Sequence, residues 1–198
     1  MIMLNAIKNR RIIRKYQNRP VERQLIEQVL QAGILAPSSK NRQPWRFIVV
    51  SGAAKDNVLQ AMQQGMQREK TQPLLPENAP NLPSALHTWQ IMQQAPVVIF
   101  IINILGQNLH QTLTTEAHIG EICNAQSIGA AVQNMTLAAT ELGLGSLWIC
   151  NTFFAYPELC ACLQCQGQLA AALALGYADE QPAARPRLPL NAITVWRD

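Results

Sequence analysis

No stretch of the 198-residue sequence is long and apolar enough to span a bilayer. The most apolar run, residues 96–105, falls well short of the ~20 residues a membrane helix needs and reads instead as a buried strand. No secretory leader is expected: Lys8, Arg10, Arg11, Arg14 and Lys15 stand where such a leader has its apolar region, and no cleavage site follows. The five cysteines are an odd number, so without a leader they are expected to be free thiols in a reducing cytoplasm. The histidines, His87, His110 and His118, are scattered at spacings that suit no metal. There is no activated-serine motif and no pair of carboxylates placed for acid–base work, which leaves hydrolytic and metal-dependent mechanisms without residues to carry them. Glycine and proline are not in excess, no internal repeat is present, and 48% of the residues are apolar, which is a folded composition rather than a disordered one. The expectation is a single domain over residues 1–198.

Acidic residues are scarce where basic ones gather. Lys8, Arg10, Arg11, Arg14, Lys15, Arg19 and Arg23 crowd the N-terminal region, with Glu22 the one acid nearby. Lys40, Arg42 and Arg46 form a second basic group, and Arg185, Arg187 and Arg197 a third. A nucleic-acid binder would show a longer continuous basic stripe with exposed aromatics, so no nucleic-acid partner is expected. Separated arginines suit a phosphate held by residues that the fold brings together.

The hydrophobic pattern predicts helices over residues 2–8, 22–35, 53–70, 84–94, 116–142 and 157–163. Strands are predicted over 47–50, 97–104, 147–150 and 169–177. Residues 71–83 hold four prolines and read as an irregular surface excursion or lid. The helix over 116–142 carries Glu116, His118, Glu121, Asn124 and Gln126 among apolar residues, which suits burial within protein, as at a subunit interface. The tail places Ile193, Val195 and Trp196 in partial alternation, as if to add to the sheet edge of a partner subunit. This order of elements predicts an α+β fold with a mixed sheet between helical layers.

Four segments hold residues suited to chemistry. In the first, Arg10, Arg11 and Arg14 would converge on one terminal phosphate if the chain turns there; the plain alternative is a solvated basic helix end. In the second, Ser38, Ser39, Asn41 and Gln43 sit in a loop bounded by Pro37 and Pro44, an inventory that can pair with the edge of a polar heterocycle. The third runs from Gly129 through Gln133 and Asn134 to Gly143, Gly145 and Ser146; small residues there allow close backbone approach, and the glycines do not fit a dinucleotide fingerprint because they leave a helix and enter a strand. The fourth is Leu175-Gly176-Tyr177 followed by Arg185-Pro186-Arg187, again suited to an anion.

Taken in this order, the four segments resemble the nitroreductase-like flavoprotein family, over nearly the whole chain; the loop over residues 37–45 is the most specific piece. The resemblance implies an intertwined homodimer with two FMN sites at its interface. Arg10, Arg11 and Arg14, together with Arg185 and Arg187, would bind the ribityl phosphate. Pro37, Ser38, Ser39 and Asn41 would approach the flavin from the neighbouring subunit. Leu147, Trp148, Ile149 and Cys150 would run past the ring, where a backbone N–H meets flavin N5. Ile12, in the phosphate-binding stretch, stands where many relatives have Ser, and Cys150 and Asn151 stand where some have Glu and Gly. The implied mechanism is two successive hydride steps at one site: NADH or NADPH delivers electrons, and a small-molecule acceptor, a nitroaromatic, quinone or related electrophile, removes them. The flavin carries the chemistry, so no catalytic side chain is assigned. Within the same resemblance stand a reductive dehalogenase, an ene-reductase or a flavin-fragmenting enzyme, and outside it a flavin-binding protein without turnover.

Several residues remain. Cys160, Cys162 and Cys165 are too few for a closed metal site and are expected to be unrelated free thiols. Trp45 and Trp148 are candidates to lie near the flavin, while Trp89, Trp196, Met62 and Met66 are expected to pack.

Overall fold

A computed structural model of the chain describes residues 5–107, 109 and 111–197; the expected helix start at Ile2 and the residue His110 lie outside them. The elements in order are α1 (Asn5–Asn9), α2 (Arg23–Ile34), β1 (Trp45–Ser51), α3 (Gly52–Thr71), α4 (Leu82–Gln94), β2 (Val97–Asn103), α5 (Thr115–Glu141), β3 (Gly145–Ile149), α6 (Tyr156–Leu163) and β4 (Gln168–Gly176). Short 3-10 helices occupy Ser39–Asn41, Pro76–Asn81, Asn151–Ala155 and Leu190–Ala192.

The four strands form one sheet in the order β1-β2-β4-β3. β2 lies inside it because its seven residues are all buried and mostly β-branched, a run that tolerates no solvated face. Alternate residues of β2 serve opposite layers. Val98, Phe100 and Ile102 point into a core with Met62, Met92 and Leu159 from α3, α4 and α6. Val97, Ile99 and Ile101 point into a second core with Val29 of α2 and Met135 of α5. The result is three layers, helix on sheet on helix, as the α+β reading expects.

The sheet itself differs from the mixed one expected. All three strand pairings are antiparallel. Parallel pairing among the described residues is confined to a single bridge between Ile12 and Ser146. Strand direction depends on how each helix returns the chain across the sheet, which hydrophobic period does not encode. Other boundaries moved for local reasons. α4 begins at Leu82 rather than 84, since Pro83 in the first turn lacks only an N–H that a helix start leaves unpaired. α5 begins after Thr114, whose hydroxyl accepts from the Ala117 N–H at 3.2 Å. Cys150, expected to end a strand, lies one residue beyond β3 with φ −105° and ψ −18°. The tail forms no strand: Ile193, Val195 and Trp196 are exposed, Trp196 by 79%.

The feature that positions the site is the way residues 12–17 lie against the far end of the chain. The Ile13 N–H donates to the Ser146 carbonyl at 3.1 Å, the Gln17 N–H to the Tyr177 carbonyl at 2.9 Å, and the Asp179 N–H to the Lys15 carbonyl at 2.9 Å. The Glu180 carboxylate accepts from the backbone N–H groups of both Arg14 and Lys15. Tyr16 is buried, and its hydroxyl donates to the Ile13 carbonyl at 2.9 Å. Burial, and then the nearby Glu180 charge, push the Tyr16 hydroxyl far above its ordinary pKa, so it stays a neutral donor.

This approach requires two glycines. Gly145 and Gly176 pair directly across β3 and β4. A Cβ on Gly145 would lie 2.8 Å from Ile13 side-chain carbons, and one on Gly176 would lie 2.5 Å from the Pro96 ring and 2.9 Å from Tyr16. The Gly145→Ala substitution is expected to destabilise the fold by roughly 1–3 kcal/mol, as overpacking does; a lowered denaturant midpoint with unchanged slope would register it, and an unchanged midpoint would show that the close approach is not required. Glu180→Ala removes an acceptor from two backbone donors and is expected to cost about 1.5–3 kcal/mol in the same assay, as the loss of hydrogen bonds to a charged group does.

Candidate functional site

Residues 7–12 and 182–187 meet because of that pairing. Together they wall a cavity of about 210 Å³ lined by Lys8, Arg10, Arg11, Arg185 and Arg187, with Ile12 beside them. Basic groups separated by more than 170 positions in sequence thus share one wall. Arg11 donates to the carbonyls of Lys8 and Arg10, at 2.8 and 3.1 Å. Arg187 donates to those of Arg185 and Pro186, at 3.3 and 3.1 Å. Among the described residues no carboxylate forms an ion pair with any of these four arginines. Glu180, the nearest acid in sequence, is engaged by backbone N–H groups instead. Converging guanidinium groups without a counter-charge are the donor set of an oxyanion or phosphate site.

Arg14 follows two residues beyond Ile12, where its backbone N–H is engaged by the Glu180 carboxylate, and Lys8 joins the arginines on the cavity wall. Glu180 was missed as well; an acid next to Asp179 gives no sequence signal that its partners are backbone amides.

The strand expected beside a flavin ring adjoins this cavity. β3 is an edge strand, and the Ile12–Ser146 bridge covers its outer side at one point. Beyond Ser146, Leu147 and Ile149 are buried while Trp148 is 39% exposed. The Trp148 ring lies over Gly129 of α5, close to where a side chain at that position would begin. Cys150 follows, exposed at the turn; desolvation pushes its thiol upward in pKa, so it stands as a neutral group. Trp45 is buried in the core under α2 and α5. Trp89 donates from its ring to the Leu59 carbonyl at 2.9 Å, a packing role as expected.

The loop over residues 37–44 sits elsewhere in the single chain, against α5. Pro37, Ser39 and Asn41 are exposed and Ser38 is half-buried. Lys40, Asn41 and Gln43 all adopt left-handed backbone, with φ of 54°, 53° and 47°. Three such residues within four positions are costly and persist only when held in place. The holding contacts are the Asn41 N–H to the Ser38 carbonyl at 2.9 Å, the Gln43 N–H to the Ser38 hydroxyl at 3.0 Å and the Ser39 N–H to the Ser127 hydroxyl at 3.3 Å. The loop is therefore a shaped and presented surface, and the cavity of the same chain is not what it faces.

No helix among the described residues is long and apolar enough to cross a membrane. No group of three or more His, Cys, Asp or Glu among them is placed to hold a metal ion.

Comparison with known proteins agrees with the four-segment resemblance. A Methanothermobacter thermautotrophicus protein provisionally named NADH dehydrogenase/NAD(P)H nitroreductase is 31% identical over 150 residues, 75% of this chain; the match spans 60% of that relative's own length. A Thermus thermophilus protein named NADH dehydrogenase is 26% identical, with 97% of this chain and 94% of the relative covered. Among solved structures, a Desulfovibrio desulfuricans protein provisionally named a nitroreductase, in complex with FMN, superposes with a TM-score of 0.71 at 28% identity, covering 98% of this chain and 95% of its own. The FMN-dependent nitroreductase NfnB from Mycobacterium smegmatis, in complex with NADPH, shares the fold with a TM-score of 0.76 at 23% identity, over 98% and 97% of the two chains. A profile of the Nitroreductase family matches residues 7–177, and over that span, which takes in the sheet, its helical layers and the basic N-terminal segment, the chain belongs to the nitroreductase family.

Proposed function

We propose that the chain is an FMN-dependent NAD(P)H oxidoreductase that works as a homodimer and passes electrons to small electrophiles such as nitroaromatics or quinones. The observation that carries this reading is the arginine-lined cavity beside the outer side of β3. The donor chemistry fits the phosphate of FMN: Arg10, Arg11, Arg185 and Arg187 offer planar forks, and Lys8 adds a point charge. Ile12 closes the wall with apolar surface and one backbone link to β3.

Leu147, Trp148, Ile149 and Cys150 would hold the flavin ring beside that anchor. Edge-strand backbone N–H groups there act as donors to the ring, and the neutral thiol of Cys150 adds no negative charge beside it. Bound in this way, FMN supplies the redox chemistry, taking electrons from NADH or NADPH and releasing them to the acceptor. The basic residues and backbone donors stabilise the negative charge that accumulates during transfer. The loop carrying Pro37, Ser38, Ser39 and Asn41 reaches the ring from the second copy of the chain, which is why its strained shape serves no cavity in its own. A second copy also accounts for the exposed apolar tail: Leu188, Leu190, Ile193, Val195 and Trp196 are each at least 64% exposed in the single chain. The FMN and NADPH bound by structural relatives support the choice of cofactor and donor.

Purified protein loaded with FMN is expected to run as a dimer in light scattering. Anaerobic mixing with NADH and NADPH separately should bleach the flavin absorbance with at least one of them, and a nitroaromatic or quinone should restore it. A colourless protein that takes up no FMN, or a flavin that neither nucleotide reduces, overturns the proposal. Arg187→Ala and Arg11→Ala should each weaken FMN binding by about 1.5–3 kcal/mol, roughly ten- to 150-fold in Kd. Unchanged affinity in a fluorescence titration would place the phosphate elsewhere.

A further inference from the structure

The C-terminus of α6 brings two cysteines together through its backbone. Gln164 is left-handed at φ 51° and ψ 47°. The Cys165 N–H donates back to the Cys160 carbonyl at 2.9 Å, and the Gln164 N–H to the Ala161 carbonyl at 3.2 Å. These two bonds around a left-handed residue define a Schellman cap, in which the third residue from the helix end and the second residue beyond it make a side-chain contact. In most proteins that contact is between apolar side chains; here both positions are cysteine. Cys160 and Cys165 are half-buried against the same core, whereas Cys162 is exposed.

The surroundings single out Cys160 as the more reactive of the two. The neighbouring Cys165 thiol, Tyr156 hydroxyl and Leu169 backbone N–H favour the thiolate of Cys160, against the opposing effect of burial, and bring its pKa down to about 7. Cys165, beside that sulfur and partly desolvated, is pushed upward.

We propose that Cys160 and Cys165 form a peroxide-reactive thiol pair, closed by oxidation into an intrachain disulfide across the end of α6. The Cys160 thiolate attacks one oxygen of hydrogen peroxide, breaking the O–O bond; the released hydroxide takes up the proton shed by the thiol and leaves as water, and Cys160 becomes a sulfenic acid. The Cys165 sulfur then displaces that oxygen, forming the S–S bond, and its proton leaves with the oxygen as a second water. Two thiols are oxidised and one peroxide is reduced to two waters. The cap places both cysteines at one helix end, in the two positions whose side chains meet in a Schellman motif.

The test uses the full-length protein treated with a slight excess of hydrogen peroxide, then denatured, labelled with N-ethylmaleimide and weighed intact. Untreated protein should take five labels, one for each cysteine. After peroxide it should take two fewer, with no added oxygen, and dithiothreitol should restore them. Cys162→Ser should lose the same two labels. Cys165→Ser should lose none to a disulfide and should instead form a dimedone adduct at Cys160. Cys160→Ser should react roughly tenfold more slowly, since an ordinary thiol is only a few per cent thiolate at neutral pH. In the wild type the oxidation rate should rise with pH around a midpoint near 7, because only the thiolate attacks. Retention of all five labels by treated wild type, participation of Cys162 in the bridge, or an interchain bridge on a non-reducing gel would each overturn the assignment; these wild-type readouts hold even if a variant fails to fold.

Discussion

The backbone pairing of residues 13–17 with Ser146 and residues 177–179, completed by the Glu180 carboxylate on two amides, is the interaction on which the candidate site depends. It joins the two ends of the chain over the sheet edge where β3 would otherwise be bare. It is also selective about sequence. Paired Gly145 and Gly176 leave the space into which Ile13 and Tyr16 pack, and a side chain at either glycine would displace them. The close approach is a packing requirement first, and the cationic cavity is its consequence.

Gathering Lys8, Arg10, Arg11, Arg185 and Arg187 on one wall has an energetic cost. Like charges held close repel, and no acid among the described residues pairs with the arginines to relieve them. Elsewhere the chain does pair its charges: Arg68 is bonded to both Glu69 and Glu158, and Arg23 to Glu27. The contrast marks the cavity as a place where charge repulsion is left unrelieved within the chain, the donor set that a bound phosphate would complete. The left-handed run at Lys40, Asn41 and Gln43 is a second such place, where backbone strain is retained to present Ser38, Ser39 and Asn41 outward. The apolar tail is likewise left exposed in the single chain, at Leu188, Leu190, Ile193, Val195 and Trp196.

Much of the fold was legible in the sequence because it rests on local periodicity. The β-branched run of β2 and the long pattern of α5 were found within a residue or two of their ends. The loop over residues 37–44 and the two arginine groups were legible as chemistry, since residue types alone suggest anion and heterocycle binding. Strand direction was not legible, and neither was the burial of Trp45, which a polar flanking loop disguised.

By itself, then, the order of amino acids determined the α+β class, the position of the core strands and the kinds of groups available to hold a phosphate, because these follow from short-range pattern and side-chain chemistry. Tertiary structure alone decided which arginines meet, that Glu180 serves backbone rather than guanidinium, and that Cys160 and Cys165 close one helix end. Those outcomes depend on contacts between residues far apart in the chain or on a single left-handed turn, and neither leaves a periodic trace in the sequence.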